Sequence, residues 1–348
     1  VCVGPYGVSA ALAMTYAGAR GETAAQMARA LRFDLDQAEL HQAFASLDAK
    51  LADIDGSGGV QLKVANALWP QQGYDLREAF LTLARMYYGV LVKAVDYGAA
   101  EAARRTINAW VEEKTGGRIR ELITPGTLAA ATRLVLTNAV YFKGNWAVQF
   151  DPGRTRDAPF WVQPGQRVTA SMMSRTGDCG YGEGDGLEVL ELPYAGDELS
   201  MVVLLPEGQG GLADLEDRLT VEALDRWTQD LRRREVRVLL PRFELMQRLN
   251  LSDRLTEMGM VDAFGDADFS GIESSRELFI SAVLHKAFVA VSEEGTEAAA
   301  ATAVVTRAKV VDASPPVFRA DHPFLFLIRE NSTGSLLFLG RVTDPSRQ

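Results

Sequence analysis

Residues 293–309 read EEGTEAAAATAVVTRAK, with one glycine, a run of small residues and two cations near the end. Every second side chain of an extended strand points to the same face. The uncharged face of this segment would consist of Thr296, Ala298, Ala300, Thr302, Val304, Thr306 and Ala308. The other face would carry every charge after Glu294. The pattern therefore predicts a strand that can place its uncharged face against a core.

Two other local structures are compatible with the same residues. The four alanines after Glu293, Glu294 and Glu297 are also typical of a helix start, because alanine has the highest helix propensity. A flexible linker is the other alternative. The β-branched residues Thr302, Val304, Val305 and Thr306 favour a strand. The local sequence leaves all three structures open and shifts the balance towards a strand that can insert into a sheet.

Short motifs occur in a fixed order along nearly the whole chain. Upstream of this segment they are TNAVYFKGNW (137–146), FDP (150–152) with Thr155, SMM (171–173), LELPY (190–194), LLP (204–206), LPRF (240–243) and MGM (258–260). Directly before and after it they are HKAFVAV (285–291), VFRADHPF (317–324), LFLIR (325–329) and LFLGRV (337–342). Together these motifs resemble those of the serpin family, in which residues 293–309 would belong to the reactive-centre loop.

The order of the secondary-structure patterns predicts the fold class. Helical patterns come first and strand patterns later, which indicates an α+β fold with helices packed on large sheets. The resemblance implies one serpin domain over residues 1–348, with three β-sheets, about eight helices and an exposed reactive-centre loop at 293–316. A chain of 348 residues that is 47% hydrophobic can form one large core. It contains no run of about 18 apolar residues, so no membrane partner is expected.

Local signals predict individual elements. Thr23 and Gln26 have the spacing of a capping box, which would open a helix ending at Leu31. One strand is expected over 235–245. The preceding Arg232, Arg233 and Arg234 are interpreted as a solvated helix end rather than a polyanion site. With a net charge of −10, no nucleic-acid or sulfated-polysaccharide partner is expected.

The chain carries no pattern of catalytic or metal-binding residues. His41, His285 and His322 are its three histidines, and no GxSxG, HExxH, P-loop or dinucleotide-binding motif accompanies them. Cys2 and Cys179 lie 177 positions apart, which fits two unpaired structural thiols better than a metal or redox site. We therefore expect no enzymatic activity, no metal and no cofactor.

The resemblance implies functional positions in the main sheet, which form its shutter and breach: Asn138, Trp146 and His285. His285 would hydrogen-bond to Asn138 under the centre of this sheet. Gly4 and Gly7 stand where the family usually has two serines. This difference removes two hydroxyls near the shutter and predicts altered control of sheet opening.

The resemblance also implies suicide inhibition of a protease, with a covalent complex and insertion of the cleaved loop into the main sheet. The hinge residues for that insertion are Glu293, Glu294, Gly295, Thr296, Glu297, Ala298, Ala299, Ala300, Ala301 and Thr302. The inward members of this hinge are small, which favours an inhibitor over a non-inhibitory carrier or chaperone. Inhibition of a cysteine protease by the same loop stays open.

The register of the loop predicts the bond that is cleaved. Lys309 lies 14 positions after Gly295, the spacing that the resemblance implies for the residue in the protease specificity pocket. The expected reactive bond is Lys309–Val310, with Arg307–Ala308 as the alternative, and both suit a trypsin-like protease with an acidic pocket. These cations could instead only keep the loop soluble. A site at Val305 or Val311, for an elastase-like target, also stays open.

The resemblance implies a monomer that can form loop–sheet polymers, and a secreted or extracellular location. Residues 3–9 read VGPYGVS and match a motif that follows the first helix of the family. We therefore expect that helix, and any signal peptide, to precede Val1 in a longer chain.

Overall fold

The computed structural model describes residues 1–56, 59–296 and 315–347 of the chain. These residues form eight α-helices: α1 (Pro5–Tyr16), α2 (Gly21–Leu31), α3 (Gln37–Ile54), α4 (Glu78–Tyr88), α5 (Ala100–Lys114), α6 (Leu212–Arg218), α7 (Val221–Gln229) and α8 (Ser252–Glu257). Short 3₁₀ turns lie at Tyr97–Ala99, Pro152–Arg154 and Asp262–Phe264.

Fifteen strands are present in the same ranges. They are β1 (Cys2–Val3), β2 (Gln61–Pro70), β3 (Leu91–Val92), β4 (Leu134–Asn145), β5 (Arg156–Gln163), β6 (Gln166–Gly184), β7 (Leu187–Pro193), β8 (Leu199–Pro206), β9 (Arg232–Pro241), β10 (Phe243–Asn250), β11 (Ile280–Val291), β12 (Gly295–Thr296), β13 (Val317–Arg319), β14 (Phe324–Glu330) and β15 (Leu336–Val342). Most helices precede β4 and most strands follow it, in agreement with the expected α+β class.

The described strands form two hydrogen-bonded sheets. The six-stranded sheet has the order β10-β11-β12-β4-β2-β3, and β11 also pairs directly with β4. The nine-stranded sheet has the order β1-β15-β14-β8-β7-β6-β9-β13, with β5 paired to β6. The 19-residue strand β6 pairs with β5 and β9 and, near its end, with β7. The described strands therefore form two sheets where three are expected, because the long strand β6 connects β5 and β9 to β7 within one hydrogen-bonded sheet.

Strand β4 lies at the centre of the six-stranded sheet and is buried on both faces. Its residues from Leu134 to Phe142 are all buried, which agrees with their nearly continuous apolar sequence. Helix α1 contacts β4, β2 and β15, and it is apolar on most of its surface. Pro5 stands at its first turn, where the missing N–H has no helical partner to lose. This packing brings the start of α1 next to the middle of β4.

The strand expected over 235–245 is interrupted at Arg242, so that prediction is wrong. Strand β9 ends at Pro241 in the nine-stranded sheet, and β10 begins at Phe243 in the six-stranded sheet. Pro241 has no N–H for a further ladder bond, and the Arg242 N–H donates to Ser171 O at 2.9 Å. Arg242 therefore lies at a corner between the two sheets.

Two other local predictions are also wrong. Arg232, Arg233 and Arg234 are the first three residues of β9, not a helix end. Helix α2 begins at Gly21, two residues before the predicted cap at Thr23.

Thr23 and Gln26 bind another part of the chain instead of closing a capping box. Thr23 Oγ1 accepts a hydrogen bond from Asp268 N, and Gln26 Oε1 accepts one from Asp262 N, each at 2.9 Å.

Cys2 and Cys179 are buried and unpaired, as the sequence predicts. Burial raises the pKa of the Cys2 thiol to about 12, so it stays protonated at neutral pH. No helix in the described ranges has the length and apolar character of a membrane span.

Candidate functional site

The predicted hinge begins between the two central strands of the six-stranded sheet. After β11 ends at Val291, the chain turns, and Ser292 N donates to Gly295 O at 2.8 Å. Strand β12 then runs antiparallel to both neighbours: Thr296 pairs with Val291 on β11 and with Gly144 on β4. Gly295–Thr296 therefore forms a wedge between β11 and β4, and we call these two residues the hinge wedge.

Gly295 fits its position because it has no side chain. A Cβ atom there would lie 1.9 Å from Gly144 O and 2.6 Å from Asn145 Cα. Both contacts are with backbone atoms, which cannot move aside as the end of a side chain can. The close approach of β12 to β4 thus requires glycine at 295.

Thr296 is fully buried and is held by a cluster of aromatic rings. Its Oγ1 lies 2.8 Å from the Tyr194 hydroxyl. The Tyr194 ring stacks on Trp146, with ring centroids 4.7 Å apart, and meets Phe142 edge-on at 4.9 Å. Burial raises the pKa of Tyr194, so its hydroxyl stays neutral and can both donate and accept.

Trp146 also fixes the turn that precedes the hinge wedge. Its Nε1 donates to Ser292 O at 2.9 Å, and its backbone N–H donates to Glu294 O at 2.8 Å. The same side chain therefore supports Tyr194 from one side and the turn from the other. Trp146 links the end of β4 to the start of the hinge.

The first hinge residue, Glu293, has a buried carboxylate in an ion pair. Arg242 Nε lies 2.7 and 2.8 Å from its two oxygens, and the Thr155 hydroxyl donates to the same carboxylate. Burial alone would raise the pKa of Glu293, but the hydrogen bonds from Arg242 and Thr155 outweigh it and lower the pKa. The interruption of the strand at Arg242 is what brings the guanidinium to this position.

His285 and Asn138 face each other on β11 and β4, within a buried polar network. Gly4 N donates to His285 Nε2 at 3.0 Å, so the proton of the neutral ring lies on Nδ1. Nδ1 then donates to Asn138 Oδ1 at 2.6 Å, and Asn138 Nδ2 donates to Asn66 Oδ1 at 2.5 Å. Burial lowers the pKa of His285 to about 4, which keeps the ring neutral.

The two glycines at the start of the chain fit closely around this network. A Cβ atom at Gly7 would lie 2.4 Å from Asn138 Nδ2, so the amide occupies the space that a side chain would need. A Cβ atom at Gly4 would lie 3.0 Å from Val140 Cγ2 and 3.4 Å from His285 Cε1. The backbone N–H of Gly4 supplies the donor that reaches His285 from the start of the chain.

The structure separates the predicted site residues into two groups. Trp146, Glu293, Glu294, Gly295 and Thr296 come together at one end of β4. Asn138 and His285 lie six residues before Gly144 and Val291, the partners of Thr296, which is about 20 Å along the strands. The remaining predictions fall outside the described residues: Glu297, Ala298, Ala299, Ala300, Ala301, Thr302, Arg307, Ala308, Lys309 and Val310.

Three side chains of the site have no role that the sequence alone predicts. Tyr194 and Arg242 lie inside the motifs LELPY and LPRF, so their presence is visible although their contacts are not. Asn66 lies in no recognised motif, and only its register opposite Asn138 on β2 and β4 reveals it. Across the described residues, no cluster of histidine, cysteine and acidic side chains could hold a metal ion.

Comparisons with known proteins agree with the sequence motifs. Residues 1–345 match a family model described as Serpin (serine protease inhibitor). The leukocyte elastase inhibitor of Bos taurus is 44% identical over 356 residues, which cover 99% of this chain and 93% of the relative. An uncharacterized serpin-like protein of Thermococcus kodakarensis is 43% identical over 345 residues, 98% of this chain and 80% of its own.

Solved structures share the fold. Uncleaved ovalbumin superposes with a TM-score of 0.89 at 31% identity, over 99% of this chain and 93% of ovalbumin. Serpin48 of Tenebrio molitor superposes with a TM-score of 0.87 at 34% identity, over 99% of this chain and 91% of Serpin48. Human thyroxine-binding globulin in complex with thyroxine superposes with a TM-score of 0.89 at 29% identity, over 100% of this chain and 92% of the globulin. These matches confirm the fold predicted from the resemblance.

The relatives contradict one expectation, the secreted or extracellular location. The leukocyte elastase inhibitors that match this chain are intracellular serpins without signal peptides, so an extracellular location is not supported. That expectation followed from the resemblance to the family as a whole.

Proposed function

The chain belongs to the serpin family, and from this premise we propose that it inhibits a target protease as a suicide substrate. The matching family model is described as a serine protease inhibitor, and several relatives that match nearly the whole chain are named leukocyte elastase inhibitor. The protease would be trapped covalently, and the cleaved loop would become a new strand of the six-stranded sheet. The protein would act as a monomer, and insertion of one molecule's loop into another's sheet would produce polymers.

The covalent step uses the protease's own chemistry. Its nucleophilic hydroxyl attacks the carbonyl carbon of Lys309, and an ester to that carbon forms as the peptide bond to Val310 breaks. The hydroxyl proton ends on the new amino group of Val310, through the protease's general base. Insertion of the freed loop then moves the protease away before water can hydrolyse the ester.

The observation that carries this proposal is the position of the hinge wedge. Gly295 and Thr296 already lie between β11 and β4, while these two strands pair directly from Ile280–Leu134 to Phe288–Tyr141. A longer β12 would part that ladder and would then pair with both strands. One ladder would be replaced by two, and each added bond or packed side chain contributes on the order of 1 kcal/mol.

The specificity of the inhibitor has two candidates. The register from Gly295 supports Lys309–Val310, with Arg307–Ala308 two residues away, and hence a trypsin-like target. The relatives named leukocyte elastase inhibitor favour an elastase as the target, and the reactive bond would then follow Val305 or Val311. We propose Lys309–Val310 as the first candidate and the elastase-type bond as the second.

A non-inhibitory role has a weaker basis. Ovalbumin and thyroxine-binding globulin superpose on this chain as well as Serpin48 does, so the fold alone does not distinguish an inhibitor from a carrier. The small residues of the hinge and the buried position of Thr296 support insertion. Inhibition of a cysteine protease would use the same insertion and is a further target class to assay.

The direct test is to incubate the protein with trypsin, leukocyte elastase and a papain-like cysteine protease, each in a separate assay. A complex that survives denaturing electrophoresis, with a released peptide that begins at Val310, supports the trypsin-like proposal. A complex formed only with elastase supports the second candidate. Cleavage without any complex would contradict inhibition and favour a carrier or chaperone.

Lys309→Ala and Arg307→Ala distinguish the two trypsin-like bonds. We expect Lys309→Ala to abolish the complex with trypsin and Arg307→Ala to preserve it. The reverse result would place the reactive bond at Arg307–Ala308.

A further inference from the structure

Four arginines from three separate parts of the chain converge on one face of the nine-stranded sheet. They are Arg154, Arg156, Arg237 and Arg319, and they line an open cavity of about 670 Å³. Nine residues line this cavity, and none of them carries a carboxylate. We call these four side chains the arginine face.

The pairing of the strands explains this convergence. On neighbouring strands, Thr176 of β6 pairs with Arg237 of β9, and Arg237 pairs with Val317 of β13. In the next row on the same face, Arg319 is in register with Leu239. Alternate residues of a strand share a face, so Arg237 and Arg319 lie on the same side of the sheet.

Arg156 joins this face from the other direction. On β5 it pairs with Met172 of β6, which also lines the cavity. Arg154 lies two residues earlier, at the end of the 3₁₀ turn that precedes β5. The opposite face of these strands is buried in the core, where Val238 and Phe318 lie. The arginines therefore have only the solvent side available.

The charge of the arginine face is not balanced by acidic neighbours. Of its four members, only Arg154 forms an ion pair with a carboxylate among the described residues, at 3.5 Å to Asp151, and both side chains are exposed. Arg156, Arg237 and Arg319 are exposed as well. Because the whole chain carries a net charge of −10, this is a local positive field on an acidic protein.

The run of Arg232, Arg233 and Arg234 has the opposite outcome. Successive residues of a strand point to opposite faces, so Arg232 and Arg234 line one cavity and Arg233 lines another. The acidic residues that line these two cavities are Glu183, Asp185, Asp230, Glu191 and Asp197. The arginines that are consecutive in sequence are therefore divided and accompanied by acids, whereas those that are far apart in sequence are gathered without them.

Although the net charge of the chain gave no reason to expect a polyanionic partner, we propose from this local cluster that the arginine face binds a multivalent anion that carries phosphate or sulfate groups. A guanidinium presents paired N–H donors that match the oxygens of such groups, and several fixed guanidinium groups can bind neighbouring groups of one chain. The Ser174 and Thr176 hydroxyls line the same cavity and add donors between the cations. This binding is separate from the proposed inhibition, because it involves neither the hinge nor the reactive bond.

The test measures binding of linear inorganic polyphosphate and of sucrose octasulfate to the full chain by calorimetry. The test variant replaces Arg156, Arg237 and Arg319 by glutamine, and the matched control replaces Arg232, Arg233 and Arg234 by glutamine. Both variants lose three positive charges, so they have the same net charge. Thermal unfolding checks that each variant is folded. If the triple test variant is not folded, Arg237→Gln alone replaces it as the test variant.

We expect at least one probe to bind the wild-type chain, with affinity that falls steeply between about 50 and 200 mM salt. The test variant should bind about tenfold more weakly or worse, and Arg237→Gln alone should show part of that loss. The control should stay within about twofold of wild type. The probe that binds more tightly identifies phosphate or sulfate as the preferred group.

Two results would overturn the proposal. One is that neither probe binds the wild-type chain at low salt. The other is that the control weakens binding as much as the test variant, which would show a response to net charge without a defined site. Covalent complex formation with a protease is measured on the same preparations, so a failure of anion binding is distinguishable from a failure of inhibition.

Discussion

The two ends of the β4–β11 pair differ in whether the strands touch. At the His285 end they pair directly, and a buried network from Gly4 to Asn66 joins them to the neighbouring elements. At the Val291 end the hinge wedge separates them, held by Tyr194 and Trp146. The sheet is thus closed over most of its length and open at one end.

This difference indicates where control of insertion would lie. At the open end, Thr296 already lies between the two strands and contacts Tyr194, so a longer β12 would extend an existing pairing. At the closed end, an inserting strand would first have to break polar contacts that have no access to water. We therefore expect changes at the hinge wedge to alter whether insertion begins, and changes around His285 to alter the stability of the closed sheet.

The largest effect is expected for Thr296→Arg at the open end. Thr296 is fully buried, and a guanidinium in its place would be desolvated beside the neutral Tyr194, at a cost of several kcal/mol. We expect the wedge to be expelled, and proteases to cleave the loop with little or no covalent complex. The ratio of complex to cleaved protein on a denaturing gel measures this.

Thr296→Ser is the matched control for that change. It keeps the hydroxyl that contacts Tyr194 and removes only a methyl group, so complex formation should remain near wild type. If Thr296→Arg still traps protease as efficiently as Thr296→Ser, insertion does not begin at the hinge wedge.

The next effect concerns pH at the closed end. Burial holds the pKa of His285 at about 4, below its ordinary value of 6.5, and the contact with Asn138 opposes this shift only in part. Between these two values the unfolded chain binds more protons than the folded one. The unfolding free energy should therefore fall as pH decreases from about 6.5 to 4, by up to about 3 kcal/mol.

Denaturant unfolding of wild type and His285→Gln at several pH values isolates this contribution. Glutamine cannot titrate, so the variant should lose less stability than wild type over the same pH range, although it is less stable at pH 7. Parallel pH curves for the two proteins would rule out His285 as the titrating group.

A smaller effect is expected from the Glu293–Arg242 pair at the open end. Glu293→Gln leaves the guanidinium without its acidic partner, and we expect a loss of about 1–3 kcal/mol in unfolding free energy, limited because the Arg242 side chain is 48% exposed. The double-mutant cycle with Arg242→Gln measures the coupling. Additive losses in the cycle would mean that the two side chains do not stabilise each other.

The smallest effect is expected for Gly7→Ala at the closed end. The added Cβ would meet the Asn138 amide at 2.4 Å, and the amide would have to move away from Asn66. We expect a loss of about 1–2 kcal/mol in unfolding free energy. Gly4→Ala, whose nearest contacts are at 3.0 and 3.4 Å, should cost less. Equal losses would indicate that Asn138 adjusts freely.

The sequence was sufficient for the fold class and the family, but it misplaced several local features. Thr23 and Gln26 have capping-box spacing, yet both bind backbone N–H groups more than 200 residues away. One strand is expected over 235–245, yet the segment divides between two sheets at Arg242, directly after Pro241, which has no N–H to donate. At Thr23 and Gln26 a contact with a distant segment outweighed a local preference, and local periodicity contains no information about such contacts.

The sequence by itself determined the order of helices and strands, the small residues of the hinge and the membership of the family. These depend on short-range periodicity and on motifs that can be read along the chain. The tertiary structure alone decided that Arg242 meets Glu293, that Asn66 completes the His285 network, and that four scattered arginines share one face. Such meetings depend on strand register and on the corner between two sheets, because these place side chains in space independently of their separation in sequence.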